Sequence, residues 1–136
     1  MAIMPPEVQE AFRNIGFCTL STATADGQPN AAAIGMKCVV DDETVYISDQ
    51  FFKKTLANLQ ANPKVAITFF DKDRAYQIHG TARYVNEGEE FEKQAAWVNA
   101  AFESMGRPVR AKGGAYVHVD AVYQMQAGPA AGDQIA

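Results

Sequence analysis

Apolar and polar positions alternate along this chain in two rhythms, one of period two and one of about 3.6. Val8, Ala11, Phe12 and Ile15 share one helical face, with Pro5, Pro6 and Glu7 suited to a first turn and Gly16 to an end. Residues 17–24 (FCTLSTAT) then alternate, with Cys18, Leu20 and Thr22 opposite Phe17, Thr19 and Ser21. Asp26-Gly27 is a hairpin signal. The next strand is expected from about residue 28 or 30 to Val40, interrupted at Gly35, where a bulge or a close approach is implied. Val45, Tyr46 and Ile47 begin another strand after the acidic turn Asp41, Asp42 and Glu43. Ser48 and Asp49 are good N-cap residues, and Phe52, Leu56 and Leu59 follow a helical period, so a helix is expected over residues 52–60. Asn62-Pro63 ends it. Strands are expected over residues 65–70, 75–86, with Gly80 as a possible break, and 115–125. Between the last two, Phe91, Ala95, Val98 and Phe102 mark one buried face of a longer helix that opens after Gly88 and closes at Gly106. Trp97 lies off that stripe and suits either the core or an exposed contact surface such as a dimer seam.

The order is α-β-β-β-α-β-β-α-β. Six strands with hairpin links and few helices imply a mostly antiparallel barrel with flanking helices, an α+β arrangement. The 136 residues suit one domain, expected over residues 1–126. Residues 127–136 are rich in Gly, Pro and Ala and are expected to form a flexible tail.

Composition narrows the chemistry. A net charge of −4 gives no support for nucleic acid or a membrane surface. No apolar run approaches the length of a membrane span, and the N-terminus lacks the pattern of a signal peptide, so a cytoplasmic protein is expected. Cys18 and Cys38 have no metal or redox spacing and are expected to be buried free thiols. His79 and His118 have no ligand-spaced partners, and no metal site is expected. Dinucleotide, phosphate-loop and nucleophile-elbow motifs are missing, and no acid–base pair stands out, so catalytic residues are not identified. Any reaction would be carried by a bound cofactor.

Two stretches have an unusual make-up. Lys53 and Lys54 sit near the start of a predicted helix, where positive charge opposes the helix dipole unless an anion is bound. With Thr55 and a capping hydroxyl they would form a phosphate site; two solvated lysines are the simpler alternative. Residues 30–35 (NAAAIG) carry small side chains for a strand, leaving room for a closely packed helix or for a flat ligand.

Three segments taken together resemble the FMN-binding split-barrel family related to pyridoxamine 5′-phosphate oxidase. They are residues 17–29 (FCTLSTATADGQP), residues 45–65 (VYISDQFFKKTLANLQANPKV) and residues 75–85 (AYQIHGTARYV). The resemblance covers roughly residues 8–123. It implies a six-stranded antiparallel split β-barrel that forms a two-fold homodimer, with FMN in clefts at the interface. By motif, the FMN phosphate would meet Lys54 and Thr55, with Lys53 or Ser48. The ring would lie along residues 30–36, near Asn30, Ala33, Ile34 and Gly35, with Gln50 as a donor. Trp97 or the tail of a second subunit would cover it. The chain lacks the arginine and lysine that the true oxidases place on the strand entering the phosphate site, and their C-terminal Arg/His segment. The resemblance thus points to an FMN-dependent oxidoreductase or electron-transfer protein, not to pyridoxamine phosphate oxidation. The alternative is a non-catalytic barrel that binds or stores flavin or haem, and some relatives bind a deazaflavin. The redox partner and substrate carry no motif.

Overall fold

The computed structural model describes residues 2–136. Its elements are α1 (Pro6–Asn14), β1 (Cys18–Ala23), β2 (Pro29–Ile34), β3 (Lys37–Asp41), β4 (Thr44–Asp49), α2 (Lys54–Ala61), β5 (Lys64–Phe70), β6 (Ala75–Val85), α3 (Glu89–Ser104) and β7 (Gly113–Gln124). All strand pairs are antiparallel, in the order β2-β1-β5-β6-β7-β4-β3.

That order forces the sheet to curl. The outermost strands, β2 and β3, are joined through Gly35 and Met36 alone. Three residue steps span at most about 11 Å, whereas the edges of a flat seven-stranded sheet lie roughly 29 Å apart. The sheet therefore closes on itself as a split barrel.

Seven strands replace the expected six because the strand expected up to Val40 divides at Gly35–Met36. Its first half pairs with β1 (Thr22 opposite Asn30) and its second with β4 (Cys38 opposite Tyr46). The Met36 carbonyl accepts the Ser48 N–H at 3.0 Å, which ties the bend to β4.

The inward residues follow the period-two pattern. Cys18, Leu20, Val45, Ile47, Val65, Ile67, Phe69, Ile78, Val117 and Val119 are buried in the barrel core, with Met4, Val8 and Phe12 packed against them. Phe12 meets Phe69 edge to face, ring centres 5.2 Å apart. Asp26-Gly27 makes the β1–β2 turn, with Gly27 at φ 97°. β6 runs unbroken through the break expected at Gly80; what changes there is the register with β7, since His79 stands opposite Ala121 and Gly80 opposite Val119, leaving Asp120 as the extra residue. A Cβ on Gly80 would lie 2.5 Å from Val117 Cγ1 and 2.8 Å from the His118 carbonyl, so β7 comes too close for any side chain there.

The expected helices form with shifted ends. α3 buries Ala95, Val98 and Phe102, and also Gln94. α2 begins at Lys54, two residues later than expected, and neither Ser48 nor Asp49 caps it. Residues 126–136 turn back on β7: Gln124 N–H bonds the Asp133 carbonyl at 2.9 Å, and Ile135 N–H bonds the Val122 carbonyl at 2.8 Å. Cys18 is a buried free thiol as expected, but Cys38 is only half-buried. Among the described residues no helix is long and apolar enough to cross a membrane.

Candidate functional site

The split between the two halves of the barrel leaves a groove of about 280 Å3. Asn30, Ala31, Ala32, Ala33, Ile34, Gly35, Ser48, Gln50, Phe51, Phe52, Lys53, Lys54 and Thr55 line it. All nine residues named from sequence fall on this wall: Asn30, Ala33, Ile34 and Gly35 from β2 and its bend, Ser48 and Gln50 from the end of β4, and Lys53, Lys54 and Thr55 from the start of α2. Trp97, the remaining candidate, stands elsewhere, on α3, where its indole N–H donates to Gln94 Oε1 at 2.7 Å. The tail lies against β7 and contributes nothing to the groove wall.

Each wall has a local cause. On β2, the methyl side chains at residues 31–33 leave the strand low and the groove open. Gly35 continues this wall; a Cβ there would sit 3.2 Å from the Phe17 ring. At the opposite end, α2 has no side-chain cap, so its first N–H groups lack a side-chain acceptor, and Lys53 as the N-cap residue, Lys54 as the first helical residue and Thr55 all line the groove. Among the described residues neither lysine enters an ion pair. This end is a concentration of donors and positive charge.

The polar side chains between these ends are held in place. Thr22, Thr55 and Asn58 are buried. Asn58 Nδ2 donates to Thr22 Oγ1 at 3.0 Å, and Asn30 Nδ2 donates to Thr55 Oγ1 at 3.2 Å and to Thr22 Oγ1 at 3.4 Å. Thr55 thus accepts from Asn30 and keeps its own O–H for an acceptor in the groove. Ser48 donates to Gln50 Oε1 at 2.5 Å, which commits the serine hydroxyl and leaves the Gln50 amide N–H groups as donors. Ser48, a candidate phosphate donor, directs its hydroxyl to Gln50 here.

Ala31 and Ala32 fall within the small-residue stretch read from sequence, and two wall residues lie outside the site residues named there: Phe51 and Phe52. Phe51 is 73 % exposed and Phe52 is buried. Thr22 and Asn58, which orient Asn30 and Thr55, were also missed in that role. Asn58 carried a signal, because it shares a helical face with Thr55 and Leu59, and a polar residue on a buried stripe needs a partner.

The arrangement suits an elongated ligand with an anionic end at α2 and a flat part over β2. The lining supplies hydroxyl, amide and ammonium donors at one end and small apolar side chains at the other. Imidazole, thiol and phenol side chains do not line it; His79 lies with Tyr123 beside other concavities of the surface.

Comparison with known proteins agrees with this fold. An uncharacterized protein of Methanocaldococcus jannaschii, MJ0282, is 42% identical over 120 residues, covering 86% of this chain and 78% of that protein. Among solved structures, HupZ of Group A Streptococcus is 27% identical with a TM-score of 0.78, covering 96% of this chain and 100% of that one. An FMN-binding protein of Syntrophomonas wolfei superposes with a TM-score of 0.71 at 19% identity, over 85% of this chain and 84% of that one. HutZ, the haem storage protein of Vibrio cholerae, does so with a TM-score of 0.68 at 17% identity, over 90% and 95%. The last two likenesses carry the fold alone. The model of the pyridoxamine 5′-phosphate oxidase family matches residues 4–126. By that match across nearly its whole length, the chain belongs to the pyridoxamine 5′-phosphate oxidase family.

Proposed function

We propose that this protein is an FMN-binding flavoprotein, acting as an oxidoreductase or electron-transfer protein. The observation that carries the reading is the groove itself. It joins an uncapped helix N-terminus with two lysines to a wall of small side chains on β2. Lys53, Lys54, Thr55 and the first N–H groups of α2 would hold the phosphate. Asn30, Ala33, Ile34 and Gly35 would lie along the ring, with Gln50 as a donor to it. A flavin bound there supplies one- or two-electron transfer. The protein's own share is to bind and orient the cofactor and keep water from one face of it.

A second copy of the chain completes the site in this reading. The groove, about 280 Å3, is an open cleft, so in this reading one chain walls the ligand on one side. Phe17 and Phe70 are 69 % and 66 % exposed and flank a neighbouring concavity that shares Ala33 with the groove. Exposed aromatic rings beside a half-open site suit a covering partner.

Haem binding is the second reading, supported by the likeness to a haem storage protein. The groove favours flavin, because its donors suit a phosphate, whereas haem iron takes imidazole, thiolate or similar ligands. An absorbance spectrum of the purified protein, followed by the mass of any released ligand, tests both. Flavin bands with a released FMN mass are expected. A Soret band would replace the reading with haem handling, and a colourless protein that takes up no added FMN would overturn it.

A further inference from the structure

Asp49 is the last residue of β4 and is fully buried, yet no cation pairs with it among the described residues. Burial of a carboxylate is costly unless hydrogen bonds satisfy it. Here they do, one donor standing three residues further along the chain and the other 35 residues away. Asp49 Oδ1 accepts the Phe52 N–H at 2.9 Å, and Oδ2 accepts the Tyr84 hydroxyl at 2.5 Å. The Asp49 main-chain carbonyl accepts the Lys112 N–H at 2.9 Å, and Lys112 Nζ lies 3.4 Å from the Phe52 carbonyl.

We propose that Asp49 is a positioning residue of the groove: braced by Tyr84, its carboxylate pins the Phe52 amide and so fixes the loop that presents Gln50, Phe51 and the lysines to the ligand. The ligand is the FMN of the preceding reading. With Asp49 and Phe52 tied three residues apart, the two residues between them must bulge outward, and both line the groove. Lys53 and Lys54 follow directly. Tyr84 reaches Asp49 because Gly113, opposite Asp49 in the β4–β7 register, has no side chain; a Cβ there would lie 2.0 Å from the Tyr84 hydroxyl oxygen. The Lys112-Gly113 pair, which the ligand wall does not use, thereby belongs to the same latch. Burial, and then the bond to Asp49, hold the Tyr84 phenol above its ordinary pKa, so it remains a donor.

The test combines amide hydrogen exchange of residues 50–53 in the ligand-free protein with FMN and riboflavin titrations. Tyr84→Phe is expected to speed exchange in that loop, leave the barrel strands protected, and weaken both flavins by about tenfold. Asp49→Asn, which keeps an acceptor for the Phe52 N–H, is expected to exchange more slowly in the loop than Asp49→Ala. Loss of both flavins separates the latch from a phosphate contact, which riboflavin does not make. Unchanged loop exchange and affinities in Tyr84→Phe would overturn the proposal, as would exchange that rises evenly across the barrel. If the wild-type chain takes up neither flavin, the cofactor reading falls, and the exchange measurement alone decides on the latch.

Discussion

Lys54 is the first residue of α2 and lines the groove at the uncapped end of that helix. A hydrogen bond from a charged group to a phosphate contributes about 1.5–3 kcal/mol. Lys54→Ala should therefore weaken FMN by that amount in a fluorescence titration, leave riboflavin affinity unchanged, and keep the fold intact. An unchanged FMN affinity alongside a drop for riboflavin would show that the phosphate lies elsewhere. Cys18 behaves differently because its side chain faces the core. Burial pushes its thiol up to about 12 from an ordinary value of 9.0. The folded state thus holds the proton more tightly than the unfolded state. The stability contributed is fully present below pH 9 and is lost as pH rises toward 12, on the order of 1 kcal/mol per pH unit. Urea midpoints measured upward from pH 8.5 should fall with a slope that Cys18→Ala reduces. At neutral pH a thiol reagent should label Cys38, which is half-buried, ahead of Cys18.

Among the elements, Gly80 within β6 and Gly35 in the bend after β2 do different jobs. Gly80 sits on β6 where its register with β7 shifts past Asp120, and a Cβ there would meet Val117 and a backbone carbonyl of β7. Gly80→Ala must push two central strands apart and should cost about 1–3 kcal/mol, read by chemical denaturation. Gly35 meets only the exposed Phe17 ring, which can turn aside. Gly35→Ala should cost less stability than Gly80→Ala yet weaken FMN, since the added methyl narrows the groove wall; equal destabilisation by the two would refute this distinction. The start of α2 shows why a local rule failed. Ser48 and Asp49 are good cap residues, but Ser48 is spent on Gln50 and Asp49 on Phe52 and Tyr84. Two non-helical residues more are needed to cross from β4 to α2, and the helix begins uncapped.

At the scale of the whole molecule, the two-residue link between β2 and β3 closes the barrel and opens the groove at once. One bent segment serves both barrel halves, and its unpaired edge along residues 30–35 becomes the ligand wall. The exposed Phe17 and Phe70 lie beside that wall. Sedimentation should give twice the chain mass of 14.8 kDa. The double change Phe17→Asp and Phe70→Asp should shift the protein toward monomer and loosen FMN. A wild-type monomer that binds FMN tightly would rule out a site completed by a second copy.

Alternation, turn residues and helical stripes determined most elements of this chain, because each rests on neighbours a few residues apart. The small side chains of residues 30–35 and the cluster Lys53-Lys54-Thr55 were legible for the same reason: their composition departs from what an ordinary strand or helix start requires. The family pattern joined these pieces into one site. The interruption at Gly35 was legible too; only the tertiary structure decided that the two halves become separate edge strands, since that depends on β1 pairing with one and β4 with the other. It alone also gave Asp49 its bond to Tyr84 and Asn58 its bond to Thr22, contacts spanning 35 and 36 residues. Such pairs exist because closure of the barrel brings the strands together, and no local period encodes which distant residue will stand opposite.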